Sequence, residues 1–225
     1  MFERLEGLIG INNVEKLHNT KILLVGVGGV GGYALETLVR NGIEGIIIID
    51  KDKVDITNKN RQIIALDSTI GKYKCDAFKD RLLDINNKCS VTVINEFLDA
   101  SNIDDVFKLD FDYVIDCCDT VDTKILLIKY AKKYNKKIIS SMGMGKKLNT
   151  TKVEITTLKK TSYDPLAKVI RKRLRDENID DNIIVVSSTE EAKKGDIIYS
   201  YSPVTNYAGI LIADYIIKDI IKEDN

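Results

Sequence analysis

Lys21-Ile-Leu-Leu-Val25-Gly26-Val-Gly28-Gly29-Val-Gly31 is the stretch that decides the fold. Its apolar start has no polar alternation and reads as a strand buried on both faces. Glycines at 26, 28 and 31 then let the backbone turn tightly, approach a phosphate closely and pack the next helix, predicted over 30–41, onto the sheet. Such a helix aims unpaired N–H groups and the positive end of its dipole at an anion. A second apolar run, Ile46-Ile-Ile-Ile49, ends in Asp50, about 20 residues past the glycines, where an acidic side chain bonds a ribose hydroxyl. Outward from there, strands are predicted at 90–95, 112–117, 137–141, 152–157 and 183–187. Helices fall near 73–86, 101–107, 122–135, 164–176 and 203–222. This alternation gives an α/β, Rossmann-like fold: a mostly parallel central sheet with helices on both faces.

A glycine loop and a carboxylate serve dinucleotide and ATP enzymes alike, and the residues after Asp50 choose between them. A nicotinamide enzyme has no evident need for Asp52, Asn58, Arg61 and Gln62 just beyond its ribose carboxylate. A triphosphate does. Its oxygens must be neutralised before a nucleophile reaches the α-phosphorus, and Arg61 with Lys74 supplies that charge.

With these residues in place the chain resembles the adenylating enzymes of the ubiquitin-activating superfamily, whose bacterial members include ThiF, MoeB and HesA. The resemblance rests on Gly26 through Gly31, Asp50-Lys-Asp52, Asn58-Lys-Asn60-Arg61-Gln62, Gly71-Lys-Tyr-Lys74 and Asp116-Cys-Cys-Asp119, in the family's order and near its spacing. It implies that Gly29 and Asp50 hold the adenosine, that Asn58 and Arg61 hold the phosphates, and that Lys74 meets the triphosphate. It makes Asp119 the magnesium ligand, with Arg61, Lys74 and Asp119 as the catalytic set. Gly26, Gly28, Gly31, Asp52, Thr57, Gln62 and Thr120 complete the nucleotide site. Arg4 looks like the arginine that reaches the partner subunit's ATP in a homodimer.

The second half, Ile138-Ile-Ser-Ser-Met-Gly143 and Lys160 through Arg175, is similar to the tRNA threonylcarbamoyladenosine dehydratases. That resemblance covers nearly the whole chain. It implies ATP-dependent cyclisation of threonylcarbamoyladenosine next to the anticodon through an adenylated carboxylate, with tRNA as partner. It leaves open a sulfur-transfer protein and a monovalent cation, K+ or Na+. The alternatives are activation of the C-terminal glycine of a ubiquitin-like sulfur carrier, or a nicotinamide oxidoreductase or nucleotide-sensing module. The first is disfavoured because no C-x-x-C pair exists to bind the structural zinc.

A chain of 225 residues, 44% hydrophobic, can bury a large core as one domain over 1–225. Residues 1–140 form the expected ATP-binding part, and 141–225 a substrate-facing extension with the last helix. Net charge is zero, from 34 basic and 34 acidic residues, so RNA contact must come from local patches. Lys168 to Arg175, with five basic residues in eight, is one candidate. The favoured reading is an amphipathic helix with Leu166, Val169, Ile170 and Leu174 facing the core. Lys132-Lys133 and Lys136-Lys137 form a weaker patch at a helix end. Cys117 and Cys118 read as small buried residues on opposite faces, and His18 as a helix-end residue. The connection 142–151 is expected to close over the adenylate. Charges at Asp214, Lys218 and Asp219 make the last helix a poor membrane span, with core or dimer packing favoured over peripheral membrane contact. Unpaired cysteines and the lack of an apolar leader point to the cytoplasm.

Overall fold

The computed structural model of the chain describes residues 1–195 and 197–222. Two short helices, α1 (Glu3–Ile9) and α2 (Ile11–Asn19), precede β1 (Lys21–Val25), α3 (Gly31–Arg40) and β2 (Gly45–Ile49). Then come α4 (Lys74–Ile85), β3 (Ser90–Ile94), the single turn α5 (Ile103–Val106), β4 (Tyr113–Asp116), α6 (Val121–Lys133) and β5 (Lys137–Ser141). The chain continues with β6 (Val153–Thr157), α7 (Pro165–Asp176), β7 (Ile184–Ser188) and α8 (Ser202–Ile221). The seven strands form one sheet in the order β3-β2-β1-β4-β5-β7-β6, parallel throughout except where β6 runs against β7.

Because β1 is covered on both sides, its residues are apolar yet still alternate in direction. Ile22 and Leu24 join Leu35 and Leu38 of α3, Phe78 of α4 and Ile212 and Ile216 of α8. Leu23 and Val25 join Phe107, Phe111 and Leu127 on the other face. A third cluster, with Ile128, Leu158, Ile170, Leu174 and Val185, seats α7 between α6 and β7. The predicted strands are all present within a residue or so at each end, and the helix expected at 101–107 shrinks to one turn. Unforeseen 3₁₀ turns stand at Ile56–Asn58, Thr150–Lys152 and Leu158–Lys160.

Helix α8 presses its backbone onto α3. A Cβ on Gly209 would sit 2.3 Å from the Val30 carbonyl oxygen and 2.9 Å from the Ala34 nitrogen, so only glycine permits this approach. One expectation about helix faces needs correction. Val169 is 46% exposed, because α7 buries Ala167, Ile170 and Leu174 instead. No described helix is long and apolar enough to cross a membrane.

Candidate functional site

The glycine loop joins β1 to α3 at the carboxyl ends of the strands, where such sheets bind ligands. Gly26 has φ +91°, and a Cβ there would lie 2.8 Å from the Cys117–Cys118 peptide. At Gly31 a Cβ would fall 2.0 Å from the Gly26 carbonyl oxygen, so the third glycine closes the turn. Gly28 differs: its Cβ would meet only Gln62 Nε2 at 3.8 Å, which leaves room for a ligand against the backbone. Val30, the N-cap of α3, makes no side-chain capping bond and no acidic residue occupies the first turn, so the helix start keeps its affinity for an anion.

Asp50 lies under this loop. One carboxylate oxygen accepts the Val27 N–H at 2.9 Å and the other the Asp52 N–H at 2.9 Å, so it braces the loop while lone pairs remain for a ribose. Asp52 pairs with Lys74 at 2.8 Å; Lys74 is buried at the start of α4, whereas the Asp52 side chain is 52% exposed.

The next segment delivers Arg61 and Gln62. Asp55 accepts the Thr57 N–H and hydroxyl at 2.8 and 2.6 Å, and Asn58 Oδ1 accepts the Asp55 N–H at 3.1 Å. Thr57 and Asn58 therefore spend polar atoms on the turn, and the Thr57 hydroxyl holds the Asp55 carboxyl below its ordinary value. Arg61 and Thr205 of α8 both border Gly29, 3.2 and 3.3 Å from where its Cβ would be. The Arg61 guanidinium donates to Thr57 O at 3.1 Å and to Asn60 Oδ1 at 2.8 Å. Gln62 is buried beside Gly28 with Oε1 lacking a partner among the described residues. An uncapped helix start and a guanidinium beside the open Gly28 fit a nucleotide phosphate chain, whereas the orphaned Gln62 Oε1 is an acceptor and fits a donor such as a ribose hydroxyl or a base amine.

On the far side of the loop, β4 ends in Asp116. Its carboxylate accepts the Cys118 N–H at 3.2 Å, the Ser140 hydroxyl at 2.5 Å and the Lys124 ammonium at 3.0 Å. Asp116 and Lys124 are both fully buried. Burial alone would push the Lys124 ammonium down, but Asp116 and the adjacent thiols prevail and hold it above its ordinary value. This network sets the turn that presents Asp119, which is exposed. Asp119 does not cap α6: Thr120 holds the N-cap position, without a side-chain bond. Among the described residues no group of three or more His, Cys, Asp or Glu is placed to hold a metal ion. Asp119 suits magnesium only in company with phosphate oxygens and water, the usual arrangement for that ion.

All four thiols are raised. Cys75 is pushed up to about 12 by burial and by Asp50, Cys89 to about 11 by burial and Glu44, and burial with Asp116 lifts both Cys117 and Cys118. None has the environment of a nucleophile. Cys117 and Cys118 pack into opposite core clusters, as their adjacency requires.

Arg4 is not brought to the other site residues of its own chain. Phe2 packs edge-on against His18 with centroids 5.0 Å apart, and His18 Nδ1 lies 2.8 Å from Gly42 O, just past the far end of α3. The connection 142–151 stands at the expected end of β5 and is anchored. Asp164 accepts the Gly143 N–H at 3.0 Å, the buried Lys147 donates to Ser188 O at 3.2 Å, and Glu190 accepts the Leu148 and Asn149 N–H groups. Burial pushes the Lys147 ammonium down, with Asp164 opposing. The weaker lysine patch is spent internally: Lys132 pairs with Asp180 and Lys137 with Asp219. In α7, Arg171 donates to Leu158 O and Thr161 O, and Arg173 pairs with Asp122.

The family model described as ThiF matches residues 2–225. The chain belongs to the ThiF family. A relative of this ThiF chain in Bacillus subtilis, named tRNA threonylcarbamoyladenosine dehydratase, is 38% identical over 99% of the chain and 95% of its own length. The Escherichia coli protein of that name is 37% identical over 76% of the chain and 63% of the relative. The crystal structure of the Escherichia coli dehydratase TcdA with ATP superposes with a TM-score of 0.93 at 32% identity, covering 98% of this chain and 93% of that one. Escherichia coli MccB with ATP, at 24% identity and a TM-score of 0.66, shares the fold.

Three neighbours of the site escape a reading of motifs. Asp55 carries the one available signal, an aspartate two residues before a threonine in an Asx turn. Lys124 and Thr205 reach the site only through tertiary contact.

Proposed function

We propose that this ThiF-family chain is an ATP-dependent dehydratase that cyclises threonylcarbamoyladenosine in tRNA. The observation that carries the reading is the glycine loop at the uncapped start of α3, where Gly28 leaves room against the backbone and Arg61 and Thr205 border Gly29. It is supported by a full-length relative and a full-length structural match, both named for that activity. A carboxylate does not expel hydroxide, so its oxygen attacks the α-phosphorus of ATP and the bond to pyrophosphate breaks. Arg61 and Lys74 offset charge on the departing phosphates. The neighbouring carbamoyl group then attacks the acyl carbon and AMP leaves, a ring closure favoured by proximity. Four raised thiols fit a route with no protein thioester.

Magnesium belongs to this reading, held by Asp119 beside Thr120 and by phosphate oxygens, and supplies charge neutralisation on the triphosphate. The nucleotide part at 1–140 and the extension at 141–225 act as one domain. A homodimer is also part of the proposal: Arg4 lies away from its own glycine loop on a helix with no buried residue, beside Leu8 at 81% and Ile11 at 60% exposure. A two-fold partner then receives Arg4 at its site. A monovalent cation and a sulfur-transfer protein rest on resemblance alone.

The test is to incubate the protein with magnesium, ATP and tRNA carrying linear threonylcarbamoyladenosine, and to weigh the nucleosides after gentle digestion. Loss of one water with stoichiometric AMP is expected. An unchanged mass on tRNA that a known dehydratase converts overturns the reading, and ATP–pyrophosphate exchange dependent on a Gly-Gly carrier would replace it. Mixed Arg4→Ala and Arg61→Ala subunits are expected to recover activity; none recovered rules out the shared site.

A further inference from the structure

Residues 197–201 form a short strap beside the nucleotide site, and most of its side chains are left in water. Ile197 is 63% exposed, Ile198 76%, Tyr199 69% and Tyr201 45%. The backbone beneath them is fixed. The Lys146 N–H donates to Tyr199 O at 2.8 Å, the Lys193 N–H to Lys146 O at 3.0 Å, and Asn60 Nδ2 to Ser200 O at 3.1 Å. That same Asn60 accepts from the Arg61 guanidinium at 2.8 Å, so the strap stands two hydrogen bonds from the expected phosphate contact. It then runs into α8, whose Thr205 borders Gly29. An apolar patch held out by its own backbone, beside a reaction centre, calls for a partner.

We propose that Tyr199 and Tyr201 form a stacking surface for unpaired RNA bases flanking the nucleoside that reacts. This deepens the dehydratase reading and rests on it. To place its carboxylate at the α-phosphorus, the modified nucleoside must approach the glycine loop, and its neighbours in the strand then pass close to the residues around that loop. Bases of a single-stranded loop present flat faces, and aromatic side chains take them with little regard to sequence. The charge balance points the same way. A chain of net charge zero has no broad field to draw in phosphates, so affinity for RNA must come from local contacts. Lys146 and Lys193 bond to one another through their backbones beside the strap, in a segment that also carries Glu190 and Glu191. The proposed homodimer brings the partner's α1 to this same site, so the test includes mass in solution.

The experiment compares wild type with Tyr199→Ala, Tyr201→Ala, the double variant and Tyr199→Phe. Each is assayed for binding to an anticodon stem–loop RNA carrying linear threonylcarbamoyladenosine, for ATP binding, for KM and kcat on tRNA, and for mass in solution. Each alanine is expected to weaken RNA binding and raise KM for tRNA by roughly 5- to 100-fold. Phenylalanine stays near wild type, ATP binding is unchanged, and the slope of log Kd against log salt is unchanged because no phosphate contact is lost. Unaltered RNA affinity and KM in the double variant overturn the inference. So does a loss of solution mass, which makes the strap an interface between copies, or RNA affinity intact with loss of binding to anionic vesicles. The two readings fail separately. A wild type that dehydrates tRNA regardless of the tyrosines keeps the dehydratase and discards the stacking surface. A wild type that binds the RNA through the tyrosines without dehydrating it does the reverse.

Discussion

Two aspartate–lysine pairs flank the glycine loop at nearly the same separation, 2.8 Å for Asp52 with Lys74 and 3.0 Å for Asp116 with Lys124. In the first, half of the aspartate side chain meets water; in the second, neither partner has any exposed side-chain surface. The open pair keeps its charge available, since an arriving phosphate can take the lysine while Asp52 turns to solvent. The sealed pair has its charge fully committed, with Ser140, the Ser141 carbonyl and the Cys118 N–H completing its coordination. Burial, more than distance, separates a residue that acts on a ligand from one that holds the acting residue in place.

The sharpest way to break this contrast is to remove each lysine in turn. Lys124→Met strands the Asp116 carboxylate in the core and is expected to cost about 3–5 kcal/mol. Activity is lost with it as the turn presenting Asp119 relaxes. Urea unfolding measures the loss, and pairing Lys124→Met with Asp116→Asn is expected to recover part of it, because the uncompensated charge disappears. Lys74→Met is expected to leave stability within about 1 kcal/mol, as its partner is free to hydrate. Turnover falls roughly 100- to 1000-fold. Equal destabilisation by the two lysine substitutions would dissolve the distinction.

An intermediate case sharpens it. Glu36 of α3 is buried but accepts from Arg81 of α4 at 2.6 Å and from Arg40 at 2.9 Å, both arginines partly exposed. Burial pushes the Glu36 carboxyl up, yet Arg81 and Arg40 outweigh it and hold the group below its ordinary 4.5. A carboxyl lowered on folding contributes stability that is fully present above pH 4.5 and is lost as pH falls through the lower folded value. Glu36→Gln is therefore expected to cost about 1–3 kcal/mol at pH 7. The gap to wild type should narrow in unfolding curves taken below pH 4.5, and a constant gap would show that packing, not charge, is what the variant lost.

The same difference explains what the sequence disclosed. The strands were legible because a sheet covered on both faces needs uninterrupted apolar runs. The glycine loop was legible because Gly26 and Gly31 meet backbone where a side chain has no room. Asp50 stands out at a strand end, Arg61 and Gln62 as part of the polar cluster that follows it, and Asp119 through the resemblance alone. Lys124 does not. In Lys124-Ile-Leu-Leu-Ile-Lys129 it has the pattern of a solvated helix residue, and only the packing of α6 under β4 and β5 turns it inward. Val169 shows the opposite: pattern assigns an apolar residue of α7 to the core, while the buried face of the helix falls one and two positions away, on Ile170 and Ala167. Asn60 and the strap meet across 140 residues of chain, and no local signal joins them.

The contact at Gly209 has a further consequence for how such a molecule can be divided. With Gly209 against the carbonyl of Val30, and Thr205 beside Gly29, the last described helix forms a wall of the cavity that the first strand and its loop begin. The site is thus closed by elements far apart in the sequence, the loop after β1 and helix α8. During synthesis the glycine loop leaves the ribosome well before this wall exists, so the nucleotide site is completed only once α8 has emerged, and a fragment that stops short of α8 lacks it.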